Sequence, residues 1–224
     1  MSRTHQSRTE WRTPGRATVL DLFCGGGGAS VGYARAGYSV VGVDIVLQPH
    51  YPFPFVQADA LAPPFDLSGF DLIHASPPCQ AYTRAGRLRD AQGGTVGSSD
   101  LLAETRAMLR ASGVPYVIEN VPGAPMDGAV LLCGSMFGLA VRRHRLFECP
   151  FVLSPPCDHA AQGRPVGVYY NLADEIPNGG RTARTLAEAQ AAMGIDWLPW
   201  DTLKEAIPPA YTEWIGSRLL ELTP

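Results

Sequence analysis

Five short apolar runs shape the first half of the chain, and each stops where its chemistry changes. ATVLDLF (17–23) runs into CGGGG, SVVGVDI (39–45) ends beside Asp44, and PFVQADA (54–60) ends beside Asp59. FDLIHAS (70–76) is stopped by Pro77-Pro78, and PYVIENV (115–121) ends at Glu119-Asn120-Val121. Runs this short, apolar and rich in β-formers, fit strands buried on both faces. Helical stretches separate them: SVGYARAGY ending at Gly37, and SDLLAETRAMLRASG (99–113), with Asp100 at its start and Gly113 as its stop. Strand, helix, strand, repeated, predicts an α/β fold with a mostly parallel sheet and helices on both faces. Ligands in such sheets sit at the carboxyl ends of the strands. The glycine run, Asp44, Asp59, Cys79 and Glu119 all fall there, so the pattern predicts one site.

The rest of the chain fills in around this sheet. Residues 1–16 are polar, Arg-rich and without an apolar signal core, and read as a flexible tail. Residues 17–149 form the main domain, with RLFECPF (145–151) as a further strand. Residues 150–183 are rich in Pro and Gly and lack a helical period, which predicts a small irregular insert. RTLAEAQAAMG (184–194) is helical, and TLKEAIPPAYTEWIGSRLLELT closes the chain with a turn and an amphipathic helix. At 224 residues and 46% hydrophobic content this suits one α/β domain with a small appendage. No apolar run approaches a membrane span, so no membrane association is expected.

Five cysteines, an odd number without a CxxC pair, argue for a reducing, intracellular and cytoplasmic setting rather than a disulfide framework. Cys157-Asp158-His159 with Cys149 imitates a zinc site only loosely, and no metal is expected from that spacing. The net charge of −3 announces no nucleic acid globally. The cations are nevertheless unusual, because Lys204 is the only lysine. Arg84, Arg87 and Arg89 follow Cys79, and Arg142, Arg143 and Arg145 form a second cluster, so a local basic surface is compatible with an acidic chain.

Asp21-Leu22-Phe23-Cys24 followed by four glycines joins a strand to a helix, where backbone can approach a ligand closely or simply make a tight turn. Asp44 stands about twenty residues further on, where an acid accepts from ribose hydroxyls, and Asp59 is placed to accept from an adenine amino group. A Walker lysine is absent, which disfavours nucleoside triphosphates and fits an adenosine ligand without a phosphate demand. Cys79 sits at a strand exit after two rigid prolines. A buried structural thiol is the common fate of cysteine, while nearby arginines would favour a reactive thiolate. Glu119 ends the adjoining strand, and a carboxylic acid beside a thiolate suggests nucleophilic attack with proton donation. Strand alternation places Arg143 and Arg145 on one face.

DLFCGGGG, SPPCQ, ENV and RRHRLF occur here in the order and spacing found in cytosine-5 DNA methyltransferases, which the chain resembles over residues 18–149 and again over 181–220. The resemblance implies a Rossmann-like, S-adenosylmethionine-dependent methyltransferase fold. It implies a cofactor site formed by Asp21, Phe23, Gly25, Gly27, Asp44, Ile45, Asp59, Ala60, Pro78 and Ala206. It implies Cys79 as the nucleophile toward C6 of a flipped cytosine, Glu119 as the acid on the N3 and amino edge, and Arg145 with Arg143 around the base. Gln80, Arg84, Arg87 and Arg89 lie in a stretch that would act as lid and phosphate clamp. The partner implied is DNA, bound by a monomer.

Three departures qualify this picture. The insert is only about thirty residues, where the family usually houses a larger recognition domain. Short or relaxed specificity is therefore expected, or specificity supplied by a partner, with Arg164, Tyr169, Tyr170, Asn171, Asn178 and Arg181 as the residues available for readout. The same residues also fit ordinary loop chemistry. Val141 stands where the family carries a glutamine ahead of the arginine pair. Lys204-Glu205 replaces the family's Gly-Asn. Turned inward, Lys204 would suit a donor whose transferred group carries a carboxylate; turned outward, it is a surface charge. The compact form fits a phage or mobile element. The same chemistry on RNA or on a free cytosine nucleotide, and a catalytically silent cofactor- and DNA-binding module, are the competing readings.

Overall fold

The computed structural model describes residues 11–79, 82, 100–149, 157, 159–160, 162–169 and 179–222. Seven strands form one sheet: β1 Thr18–Leu22, β2 Ser39–Asp44, β3 Phe55–Gln57, β4 Leu72–Ala75, β5 Tyr116–Asn120, β6 Val130–Leu132 and β7 Arg145–Glu148. Their order is β3-β2-β1-β4-β5-β7-β6. The first five run parallel, and β7 lies antiparallel between β5 and β6. The expected strands are all present, each trimmed at its ends. β6, three residues long and only partly buried, was not anticipated. The helices are α1 Gly28–Ala36, α2 Leu102–Ser112, α3 Leu186–Met193, α4 Trp200–Leu203 and α5 Pro209–Leu222. Their stops follow the sequence signals: Gly37, Gly113 and Gly194 each hold a left-handed C-cap. No helix among the described residues is long and apolar enough to cross a membrane.

Alternation along the strands divides the core between the two faces of the sheet. Val19, Val40, Leu72, Val117 and Phe147 pack toward Tyr33 of α1 and Tyr211 and Ile215 of α5. Leu20, Val41, Ile73 and Ile118 pack toward Leu102 and Leu109 of α2. α1 approaches the C-terminal segment so closely that side chains are excluded. A Cβ on Gly28 would stand 2.2 Å from the Ile207 carbonyl oxygen, and one on Gly32 would stand 2.0 Å from Thr212 Oγ1. In the same contact Thr212 donates to the Ala29 carbonyl at 2.8 Å. The last glycine of the CGGGG run therefore serves packing, not a ligand.

Two expectations about boundaries change. Residues 11–16 are docked, since Trp11 stacks edge-on against Phe65 and the Arg12 guanidinium donates to the Gly69 carbonyl at 2.7 Å. The insert is not wholly irregular. β8 Val166–Gly167 and β9 Arg181–Thr182 pair in parallel. Val166, Val168 and Ala183 share a third apolar cluster with Ala189, Met193, Ile195, Leu198 and Leu203. This cluster fastens the insert to the returning C-terminal helices.

The reversed strand β7 is locked by a buried ion pair at its far end. Arg106 on α2 reaches Glu148 with Nε at 3.0 Å and Nη2 at 2.8 Å from Oε2, and also donates to the Pro125 carbonyl at 2.8 Å. Glu148 accepts from the Asp127 amide at 3.1 Å as well. Removing one partner of a buried pair leaves the other charge uncompensated, which costs about 3–5 kcal/mol. Arg106→Ala should therefore lower the stability measured by denaturant unfolding by about 3 kcal/mol, far more than Arg218→Ala, whose pair with Glu221 is exposed.

Candidate active site

The carboxyl ends of β1, β2, β4 and β5 open on one side of the sheet, as their polar termini required. β1 leads through Phe23, held at φ 57°, into the glycine turn. The Gly25 amide donates to Asp44 Oδ2 at 3.0 Å, and the Val46 amide donates to Oδ1 at 2.9 Å. Asp44 thus braces the turn and retains lone pairs on both oxygens. Gly25 has φ +47°, and a Cβ there would meet nothing within 4 Å, so open space lies above this backbone. Beside it Ile45, 68% exposed, continues into the exposed Val46 and Leu47, an apolar ledge at a strand end. Asp59 is exposed with Oδ1 accepting from the Leu61 amide, while Ala60 is buried. Trp197, just before α4, closes the far wall by donating from Nε1 to the Gly26 carbonyl at 2.9 Å.

Asp21 lies beneath this turn, fully buried. Its Oδ2 accepts from the Ser30 hydroxyl, while Oδ1 has no hydrogen-bond partner among the described residues. Burial pushes its pKa up to about 7, against the Ser30 hydroxyl, which pulls it down. Open space above Gly25, an apolar ledge, a carboxylate with free lone pairs and an orphaned buried acceptor fit the adenosine and amino-acid parts of S-adenosylmethionine.

The second half of the site lies at the ends of β4 and β5. Glu119 is 6% exposed, and its Oε1 lies 3.0 Å from Arg145 Nε at the start of β7. Because β7 runs backward, its first residue meets the last residues of β5. Burial raises the Glu119 carboxyl above its ordinary range, opposed by Arg145, by a hydrogen bond from Ser76 and by Arg143. Behind Glu119 runs a chain of polar groups through the core. Tyr33 Oη and His74 Nδ1 are 3.0 Å apart, and His74 Nε2 and Ser76 Oγ are 3.0 Å apart. Burial holds His74 down to about 3, so the ring is neutral with one N–H. The ring offers one donor and one acceptor, which the Tyr33 and Ser76 hydroxyls match from its two sides. His74 and Ser76 were missed from sequence, although a histidine inside the apolar run LIHA was a visible signal.

Cys79 follows β4 and is partly buried. Burial raises its thiol pKa, Glu119 raises it further, Arg145 lowers it, and Glu205 raises it. The expectation of a resting thiolate is thus corrected: the thiol is protonated, because burial and two carboxylates outweigh the nearby guanidinium. The arginines invoked for it, Arg84, Arg87 and Arg89, lie with Gln80 outside the described residues. Pro78 is partly buried beside Cys79, and the Pro77 carbonyl accepts from Asn120 Nδ2 at 3.2 Å, tying the two strand exits together.

Arg143 has φ 38°, and its Nη2 donates to the Lys204 carbonyl at 2.8 Å. Its Nε is buried without a partner among the described residues. The Tyr169 ring lies 5.9 Å from the Arg143 guanidinium carbon. Tyr169, expected among readout residues, therefore stands beside the arginine pair. Arg181 is occupied by an ion pair with Glu188, and Arg164 donates to the Gly180 carbonyl at 3.4 Å, so both are engaged within the insert and its supporting helix. Tyr170, Asn171 and Asn178 lie outside the described residues. Ala206 is buried in the third apolar cluster. Lys204 Nζ sits 3.4 Å from Asp201, whose side chain is almost fully exposed, and so turns outward. Gly27, with φ +82°, makes the turn into α1.

The sheet order with a reversed seventh strand, and a glycine turn at the end of β1, define a Rossmann-like methyltransferase fold. Solved structures agree on the fold. A candidate DNA modification methyltransferase encoded within an E. coli prophage aligns with a TM-score of 0.60 at 17% identity, covering 92% of this chain and 99% of that one. The Dnmt2 methyltransferase of S. pombe aligns at 0.54 and 14% identity, covering 93% and 100%. The DNMT2 of Spodoptera frugiperda aligns at 0.56 and 15% identity, covering 92% and 99%. Residues 17–125 match the family model for C-5 cytosine-specific DNA methylases, so that stretch carries the cytosine-5 methylase domain. No curated protein matches the sequence.

Two outcomes test the electrostatics. Glu119→Gln removes a negative charge beside Cys79, so the Cys79 peptide should be alkylated by iodoacetamide several-fold faster at pH 8, read by mass spectrometry. An unchanged or slower rate would refute the coupling. Asp21 has its folded pKa raised above its unfolded value, so its stabilising contribution is present at low pH and is lost as pH rises from about 4 through about 7. Asp21→Asn should gain on wild type by about 3 kcal/mol between pH 5 and pH 8 in paired unfolding curves.

Proposed function

We propose that the protein is a DNA (cytosine-5)-methyltransferase that acts on a flipped cytosine through a covalent bond between Cys79 and C6. The observation that carries this reading is the Glu119–Arg145 ion pair at the carboxyl ends of the central strands, with Cys79 electrostatically coupled to both. S-adenosylmethionine, held by Asp44, Asp59, the Gly25 turn and the Ile45 ledge, would supply an electrophilic methyl group on a sulfonium.

The chain's own residues would then act on the base. The thiol proton of Cys79 passes through Glu119 to cytosine N3, as sulfur bonds to C6. Glu119 is suited to this because burial keeps its protonated form accessible, while Arg145 stabilises its carboxylate. Electron density moves to C5, which takes the methyl group. The C5 proton then leaves to solvent as the C6–S bond breaks, and the N3 proton returns through Glu119 to the Cys79 sulfur, restoring both aromatic ring and thiol. Arg143, with an unused buried donor beside Arg145, would receive an acceptor atom of the flipped nucleotide. The small insert supports short or relaxed sequence specificity. Lys204, paired outward with Asp201, lends no support to a carboxylated donor.

The test is incubation with S-adenosylmethionine and unmodified duplex DNA, with single-stranded DNA and RNA as parallel arms, followed by digestion to nucleosides and mass spectrometry. A 5-methylcytosine peak from duplex DNA is expected. Cys79→Ser should lose turnover by roughly a thousandfold or more while keeping cofactor affinity, since nucleophilic catalysis and oxyanion-type stabilisation supply terms of that size. Activity confined to RNA would overturn the DNA assignment, and an active Cys79→Ser would overturn the covalent route.

A further inference from the structure

Four side chains that the proposed reaction does not use converge behind the arginine pair. Cys133 follows β6, His144 lies between Arg143 and Arg145, and Cys157 and His159 belong to the insert. Their ligand-type atoms all lie within 4.8 Å of one another. His159 Nε2 is 3.0 Å from Cys157 Sγ, 3.3 Å from Cys133 Sγ and 3.3 Å from His144 Nε2. Cys157 Sγ is 3.6 Å from His144 Nε2.

Hydrogen bonding alone does not account for this packing. A neutral imidazole nitrogen carries either one proton or one lone pair, yet His159 Nε2 faces three heteroatoms at contact distance. A central cation satisfies all of them at once. With Zn–N about 2.0–2.1 Å and Zn–S about 2.3 Å, a tetrahedron has edges of about 3.3 Å between nitrogens and about 3.5 Å between nitrogen and sulfur. The four separations given above lie within about half an ångström of these edges, and the remaining two pairs are within 4.8 Å. The Ser135 hydroxyl donates to Cys133 Sγ at 3.1 Å and lies 3.8 Å from Cys157 Sγ, as an outer partner of thiolate ligands would.

We propose that Cys133, His144, Cys157 and His159 form a structural zinc site. Two thiolates and two imidazoles complete four-coordination from protein alone, which marks a closed structural site rather than a catalytic one. Its ligands join β6, the start of β7 and the insert. Arg143 and His144 precede β7, and Arg143 is kinked at φ 38°, so the alternation expected from sequence does not set their directions. Their contacts do, with His144 Nε2 turned to His159 and Cys157 while Arg145 pairs with Glu119 in the candidate active site.

The full-length protein, purified without chelator, is analysed for metal by plasma mass spectrometry. About one zinc per chain is expected, falling to a small fraction in Cys157→Ser and His159→Ala. Because those variants can fail to fold, metal-free wild type is also titrated with Co(II). Tetrahedral ligand-field bands with thiolate-to-cobalt charge transfer, bleached by one equivalent of zinc, are expected. Wild type that takes up neither metal stoichiometrically, or variants that retain full zinc content, would overturn the site. So would metal-free protein, handled without reductant, that carries a Cys133–Cys157 disulfide as its stable state.

Discussion

A carboxylate buried at the end of a central strand is the constraint around which this structure is arranged. Glu119 costs several kcal/mol of desolvation unless neighbours compensate it. Compensation arrives from three directions: Arg145 from a strand that must run backward to present it, Ser76 from the exit of β4, and Arg143 from the backbone kink before β7. The polar chain through His74 and Tyr33 extends the site's hydrogen bonding into the core, where the neutral ring offers one donor and one acceptor to two hydroxyls. The same compensation is incomplete enough to leave the carboxyl raised, the condition that the proposed proton transfer to a base requires.

The cofactor side obeys a different rule, that of backbone proximity. Turn, packing and site are solved by one short run of glycines. Gly25 leaves space above the sheet, and Gly28 lets α1 meet the segment at Ile207. Trp197 holds the Gly26 carbonyl from the returning chain. The C-terminal quarter is therefore a wall of the candidate site, and Glu205, within electrostatic reach of Cys79, belongs to that wall.

Much of this was legible in the sequence because strand ends announce themselves: apolar runs, then a glycine or an acid. The five parallel strands, the helix stops at Gly37, Gly113 and Gly194, and the location of Cys79, Glu119 and Asp44 at one edge follow from local pattern. What stayed hidden depends on distance along the chain. β6 is three residues long and carries no period. The state of Cys79 depends on burial and on Glu205, which a linear reading does not place nearby. The cluster at Cys133 has ten residues before His144 and twelve more before Cys157, so no motif spacing reveals it. Cys149, which the sequence sets beside Cys157-Asp158-His159, packs instead against the first apolar cluster.

The insert carries one more implication. β8 and β9 are parallel neighbours, and parallel neighbours require a crossover of about a dozen residues between them. The two ends of that crossover are held independently: Val166 and Val168 by the third apolar cluster, and Arg181 by Glu188. The insert is thus moored at both of its described ends, one by apolar packing and the other by an ion pair, so heat or salt should loosen the two moorings unequally.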